Sequence, residues 1–203
     1  MDAPILVIAC GAIARELVRI RELNGRDHIE IQCLPAELHN TPDKIPAAVQ
    51  SKIDSGREQF RQIFVAYADC GTAGRLDRVL AGTGAERIPG AHCYEFFAGS
   101  EVFRELADEE PGSFYLTDFL VRHFERLVVR GLGLDRNPQL LESYFGNYRR
   151  VVYLAQTSSP ELQAMAHEQA RFLGLEYHYR HTGDGPLSLA LSPLLEEAET
   201  CRS

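Results

Sequence analysis

Five cysteines, Cys10, Cys33, Cys70, Cys93 and Cys201, are the residues best suited to chemistry in this chain. Cys70 stands in "AYADCGTAGRLD" (66–77), after the apolar run "QIFVAY" and before two glycines and a helix start. Outside the carboxyl end of a strand is where α/β proteins gather their function. A thiol there serves as a nucleophile or a soft metal ligand once ionised. Three thiols, Cys10, Cys70 and Cys93, suit zinc, which binds thiolate and imidazole and keeps one position open in a catalytic site. His39 or His92 would add a fourth ligand or orient the others. An iron–sulfur cluster with one iron open to substrate would use the same three thiols. The chain has neither C-x-x-C nor H-E-x-x-H, so spacing does not choose the metal.

Each of these residues also has a plainer reading. Cys10 and Cys33 fit the core as small hydrophobes, and Cys201 sits in a polar tail. "DCGTAG" reads alternatively as an anion loop, with Gly71 and Gly74 freeing backbone N–H groups for a bound ligand. Cys70 as a nucleophile, with His92 or His39 as its base, is a third possibility. His39 and Asp69 are expected to orient ligands or move protons, with Glu95 and Asp118 as further candidates. Asp118 is equally an early-helix acid favoured by the dipole. "YFGNYRR" (144–150) places Tyr144, Asn147 and Tyr148 around a glycine, either as a pocket border or as a helix stop. Arg149 and Arg150 read as solvated, His123 as packed or on the surface, and His28, His167, His178 and His181 as surface residues.

Strands must carry these residues to one place. Apolar or alternating runs predict strands at 4–10, 28–34, 62–68, 87–88, 113–117, 149–156 and 175–180. Helices are expected at 11–25, 45–56, 75–82, 117–131, 137–146 and 159–174, bounded by signals such as Thr117, Ser159–Pro160 and Gly174. The stretch "GPLSLALSPLLEEAE" is ambiguous. Alternation of strand and helix implies an α/β fold, a mainly parallel sheet with helices on both faces, in one domain over 1–203 with a polar tail at 193–203. In such a sheet the carboxyl ends share an edge. They would gather Cys10; Cys33 with His39 and Asn40; Asp69 and Cys70; His92, Cys93 and Glu95; Thr117 and Asp118; Gln156 and Thr157. Helices starting after Cys10 and Cys70 would favour thiolate there.

Composition narrows the class. The 203 residues, 45% hydrophobic, suffice for a sizeable core. Against 29 acidic residues stand 21 basic ones, a net charge of −8. That balance opposes broad nucleic-acid binding and suits a protein handling a small molecule. "APILVIAC" lacks a basic leader and is too short for a membrane span, so a cytoplasmic protein with reduced thiols is expected. The apolar helix at 117–130 would bury itself in this core or in a homo-oligomer interface.

The segments "CGAIARE", "LPAELHN", "YADCGTAG", "HCYEFFAGS", "FYLTDFL", "GLGLDRNP" and "YFGNYRRVVYLAQ", in this order, resemble a bacterial and archaeal family, domain of unknown function 1638. The resemblance runs from Ile5 to Leu191. It implies an early cysteine, a leucine–histidine pair and two later cysteines, here Cys10, His39, Cys70 and Cys93. In the archaeal branch another residue separates the last histidine and cysteine, so Cys93 carries over more directly than His92. Asn137 stands where the family often has a second histidine, and Ala73 where it often has glycine. Members occur beside corrinoid proteins and methylamine-type methyltransferases. The resemblance thus implies one-carbon or methyl-transfer metabolism, with a corrinoid protein or methyltransferase as partner. The expected activity is a zinc-thiolate enzyme acting on a small molecule. The alternatives are a non-catalytic accessory protein, an iron–sulfur enzyme and a cysteine hydrolase.

Overall fold

The computed structural model describes residues 5–183 together with 187, 188 and 191. The remainder of the ambiguous stretch and the polar tail with Cys201 lie outside the described residues. The chain forms two compact units, one of residues 5–93 with 187, 188 and 191, the other of 94–183. Among the described residues no helix is long and apolar enough to cross a membrane.

The first unit runs β1 (Ile5–Cys10), α1 (Ala14–Leu23), β2 (Ile29–Leu34), α2 (Ile45–Gly56), β3 (Gln62–Ala66), α3 (Arg75–Leu80) and β4 (Glu86–Arg87). Its sheet has the order β2-β1-β3-β4 with every pair parallel. All six residues of β1 are buried, as a continuous apolar run requires of a strand covered on both faces. Ile45, Val49 and Ile53 recur every four residues along α2 and are buried. A Cβ on Gly56 would meet the Leu6 side chain at 2.7 Å, so glycine lets the end of α2 close onto β1.

The second unit runs α4 (Tyr94–Ala98), α5 (Ser100–Glu109), β5 (Ser113–Thr117), α6 (Asp118–Phe124), a π-helical stretch (Glu125–Arg130), α7 (Leu140–Phe145), β6 (Arg150–Ala155), α8 (Pro160–Leu173) and β7 (Glu176–His181). Its sheet, β5-β6-β7, is also wholly parallel. The expected signals act where they were read. The Thr117 side chain accepts from the Leu120 N–H. Ser159 accepts from Leu162, and Gly174 ends α8 at φ +72°. Val121, Phe124 and Val128 pack with Tyr153, Leu162 and Ala166, so the apolar helix serves its own unit's core.

The α/β class with parallel strands and helices is as expected. The arrangement differs in four respects. The strands divide between two sheets, so the strand-end residues fall into two sets. Helices α4 and α5 occupy 94–109, where no helix is expected; α5 has no fully buried residue, and Val102, Phe103 and Leu106 lie partly buried along one side. The helix after Thr117 is interrupted at His123, whose φ/ψ of −115°/16° is non-helical. Finally, Arg150 is buried. It donates to the Ser113 hydroxyl (2.8 Å), to Glu109 (2.9 Å) and to the Leu106 carbonyl (2.8 Å), while Arg149 is exposed.

Candidate thiol site

The first unit gathers its chemistry at the carboxyl ends of its parallel strands. Cys10 closes β1, and its Sγ accepts the Ala12 N–H at 3.5 Å. A Cβ on the next residue, Gly11, would lie 3.1 Å from the Leu34 carbonyl, so glycine allows the chains leaving β1 and β2 to pass closely. Beyond β3 the chain makes a compact loop, 69–74. Gly71 and Gly74 take positive φ, and so do Cys70 (+47°) and Ala73 (+53°), which is strained for residues with a Cβ. The Asp69 N–H donates to Gly90 and the Cys70 N–H to Ala91. These bonds continue the β3–β4 pairing and carry Cys93 alongside Cys70.

The thiols interact. The Cys93 thiol hydrogen-bonds to the Cys70 sulfur and, with the N–H groups of Cys93 and Ala68, holds Cys70 below the usual thiol range despite its burial. The same bond and burial push Cys93 well up. Burial, before any other cause, raises Cys10 to about 11. The resting pair is therefore one thiolate-prone sulfur and one thiol donor. Helix starts do not produce this: α3 begins five residues after Cys70, and Cys10 stays a thiol although it caps a helical turn. Cys10 lies in electrostatic reach of both Cys70 and Cys93. Even so, among the described residues no group of three or more His, Cys, Asp and Glu stands in a metal-holding arrangement.

Tyr67, between β3 and the loop, was not singled out from the sequence. It is 2% exposed, its hydroxyl lies beside the Cys10 sulfur, and that hydroxyl meets no partner at hydrogen-bond geometry. The available signal was its polar oxygen at the end of the apolar run "QIFVAY". His39 lies in the 3-10 turn after β2 and is exposed. Crowding by protein and the nearby His92 charge lower its pKa, so its ring favours the neutral form. His92 is also exposed, and Cys33 is an exposed free thiol.

The other candidates have different roles. Asp69 accepts from the Thr72 hydroxyl (2.8 Å), the Ala73 N–H (3.1 Å) and the Gly74 N–H (2.8 Å). Its carboxylate therefore occupies two of the amides an anion loop would offer. Gly71 packs against Pro42. Glu95, Asp118 and Asn147 belong to the second unit. Asn147 is exposed in the stop after α7, where Tyr148 packs with Phe114 and Phe145. Asp118 is 2% exposed. Its carboxylate accepts from the Tyr153 hydroxyl (2.7 Å), the Gln156 N–H (3.1 Å), and the N–H and hydroxyl of Thr157. It ties β5 to β6 and has no lone pair to spare for a substrate.

Fold and site define an α/β protein of parallel sheets with cysteines collected at the strand ends of one of them. The chain belongs to the family described as protein of unknown function (DUF1638), whose model matches residues 33–189. The match includes His39, Cys70 and Cys93 and begins after Cys10. No curated protein and no solved structure matches the chain.

Proposed function

We propose that the first unit holds a soft metal ion, zinc, through Cys10, Cys70 and Cys93, and that the protein is a metal-dependent enzyme of one-carbon or methyl-transfer metabolism acting on a small molecule. The observation that supports this reading is the contact between Cys70 and Cys93, from two separate chain segments, with Cys10 in electrostatic reach of both. Cys70 and Cys93 are already in contact and would hold the ion as a pair; Cys10 would complete the set. Three sulfurs fit a borderline-soft cation. Bound zinc would act as a Lewis acid or lower the pKa of a substrate thiol. The chain's own groups do the rest. The N–H groups of Cys93 and Ala68 steady the charge on Cys70, and burial keeps water from Cys10. His39, held neutral, takes a proton on its ring nitrogen, with His92 beside it. A corrinoid protein or methyltransferase is the partner that the family resemblance suggests, and reduced thiols fit a cytoplasmic setting.

The test is metal and acid-labile sulfide content after purification without oxygen. About one zinc per chain without sulfide, lost in Cys70→Ala, supports the proposal. Iron with sulfide moves it to an open iron–sulfur cluster. Folded, reduced protein without metal overturns it. A second reading, Cys70 as a nucleophile, is favoured by its lowered pKa and strained φ. It expects metal-free activity abolished by alkylation of Cys70. An accessory role expects no turnover but a stable complex with a methyltransferase.

A further inference from the structure

We propose that two copies of this chain join through β7, antiparallel about a two-fold axis at His178, so that two three-stranded sheets become one of six strands. β7 ends the order β5-β6-β7, and among the described residues only β6 pairs with it. Five of its six residues are exposed and Tyr177 is half-buried. The free N–H and C=O groups of such an edge recruit another strand, and proteins commonly blunt it with proline, lysine or a bulge. "EYHYRH" (176–181) has neither proline nor lysine, and its register with β6 is unbroken over all six residues.

The backbone limits how a second copy can add. The N–H groups of Glu176 and Thr182 donate toward β6, to the carbonyls of Arg149 (3.1 Å) and Ala155 (2.9 Å). Strand groups alternate in direction, so Glu176, His178 and Arg180 turn theirs to β6 while Tyr177, Tyr179 and His181 turn theirs outward. An antiparallel pair exchanges bonds only between residues that both face the junction. An axis at His178 meets that condition, setting Tyr177 opposite Tyr179 of the second copy on either side. The side chains favour the same register. Glu176, His178 and Arg180 share one face, with Glu176 Oε2 3.6 Å from His178 Nε2, while Tyr177 lies on the other face against His167. About His178, Glu176 falls opposite Arg180 of the second copy at both ends, and tyrosine falls opposite tyrosine. An axis at Tyr177 would leave Arg180 opposite Gly174, one at Tyr179 would set it against His178, and one at Arg180 would set it against itself. The segment "EYHYR" is thus complementary to its own reverse, as a two-fold interface requires. Opposite-charge and aromatic pairs of this kind stabilise neighbouring strands.

Sedimentation velocity on the full chain, over a range of concentrations, reads the dimer. Glu176→Arg or Arg180→Glu sets like charges opposite each other at both ends and should weaken it about 10-fold or more. Mixing the two variants puts acid against base again and should return a dimer with one chain of each. Both side chains are exposed, and far-UV circular dichroism confirms that the variants fold. His178→Cys should form a disulfide across the axis under mild oxidation, because a non-hydrogen-bonded pair brings its Cα atoms to about 4.5 Å. Mass spectrometry finds that bridge as one peptide joined to its own copy. A wild type that stays monomeric overturns the proposal and leaves the edge to a strand of another protein. A dimer that neither reversal weakens overturns it in favour of another face. Weakened variants whose mixture stays monomeric overturn the pairing about His178.

Discussion

Asp118→Ala tests whether this acid is structural or catalytic. The carboxylate receives four hydrogen bonds in a nearly dry setting. Alanine would strand the Tyr153 hydroxyl, on a residue with 0% exposure, and the N–H of Gln156, on one 5% exposed. Each stranded buried donor costs about 1–3 kcal/mol. The two Thr157 donors are half-buried and regain water, so they add less. Removing a buried charge returns part of the loss, and deletions within such networks cost about 3–5 kcal/mol net. In a chain of this size that lowers Tm by more than about 6 °C. The chain has no tryptophan, so far-UV circular dichroism against heat or urea is the probe. Tyr153→Phe removes one donor of four and should cost about 1 kcal/mol, and less again in the Asp118→Ala background. A loss below about 1 kcal/mol for Asp118→Ala, together with loss of ligand binding or turnover, would refute the structural assignment.

Alkylation by iodoacetamide, mapped by mass spectrometry, should modify Cys70 from a lower pH than Cys10 or Cys93, and Cys93→Ala should move the Cys70 onset upward by removing its side-chain donor. Arg150→Met should destabilise by about 2–3 kcal/mol, since the Ser113 hydroxyl and Leu106 carbonyl lose their buried donor, whereas Arg150→Lys retains part of the network; urea unfolding separates the three proteins. Ala73→Gly should stabilise by about 0.5–1 kcal/mol: a left-handed φ costs an L-residue about 1–2 kcal/mol, and the greater freedom of unfolded glycine returns part of that. The Gly74 N–H, followed by the Thr72 hydroxyl and Ala73 N–H, holds the Asp69 carboxyl below its ordinary value of 3.8. Its contribution is thus complete above that pH and lost as pH falls through the depressed value; the stability gap between wild type and Asp69→Asn should be full above that pH and close as acidification passes through the depressed value.

The strands were legible because burial leaves a direct trace. β1 and β6 are apolar runs covered on both faces, and α8 carries its own start and stop in Ser159, Pro160 and Gly174. Helix α4 left little trace, being five residues rich in aromatics that also suit strands, whereas α5 carries a one-sided stripe of Val102, Phe103 and Leu106 that was legible and not read. The division into two sheets was hidden for another reason. Periodicity identifies a strand but not its neighbour, and pairing depends on where each crossover lands. Arg149 and Arg150 show the same limit at one residue. They are chemically identical, and only the register, which sets Arg150 opposite Ser113, decides which is buried.

The candidate site repeats that lesson in terms of capacity. Residue type states how many bonds a group can make, and its neighbours state how many remain. Asp69 and Asp118 carry the residue type that moves protons, yet the 69–74 loop claims one carboxylate and the ends of β5 and β6 claim the other. The Cys10 sulfur engages one amide, the Cys70 sulfur takes its donors from Cys93 and Ala68, and the Tyr67 hydroxyl has no partner at bonding geometry. What the fold leaves open at the carboxyl ends of the first unit's strands is therefore soft sulfur with one phenol beside it, and that remainder is the reason to look for a thiophilic ligand there before looking for acid–base chemistry at either aspartate.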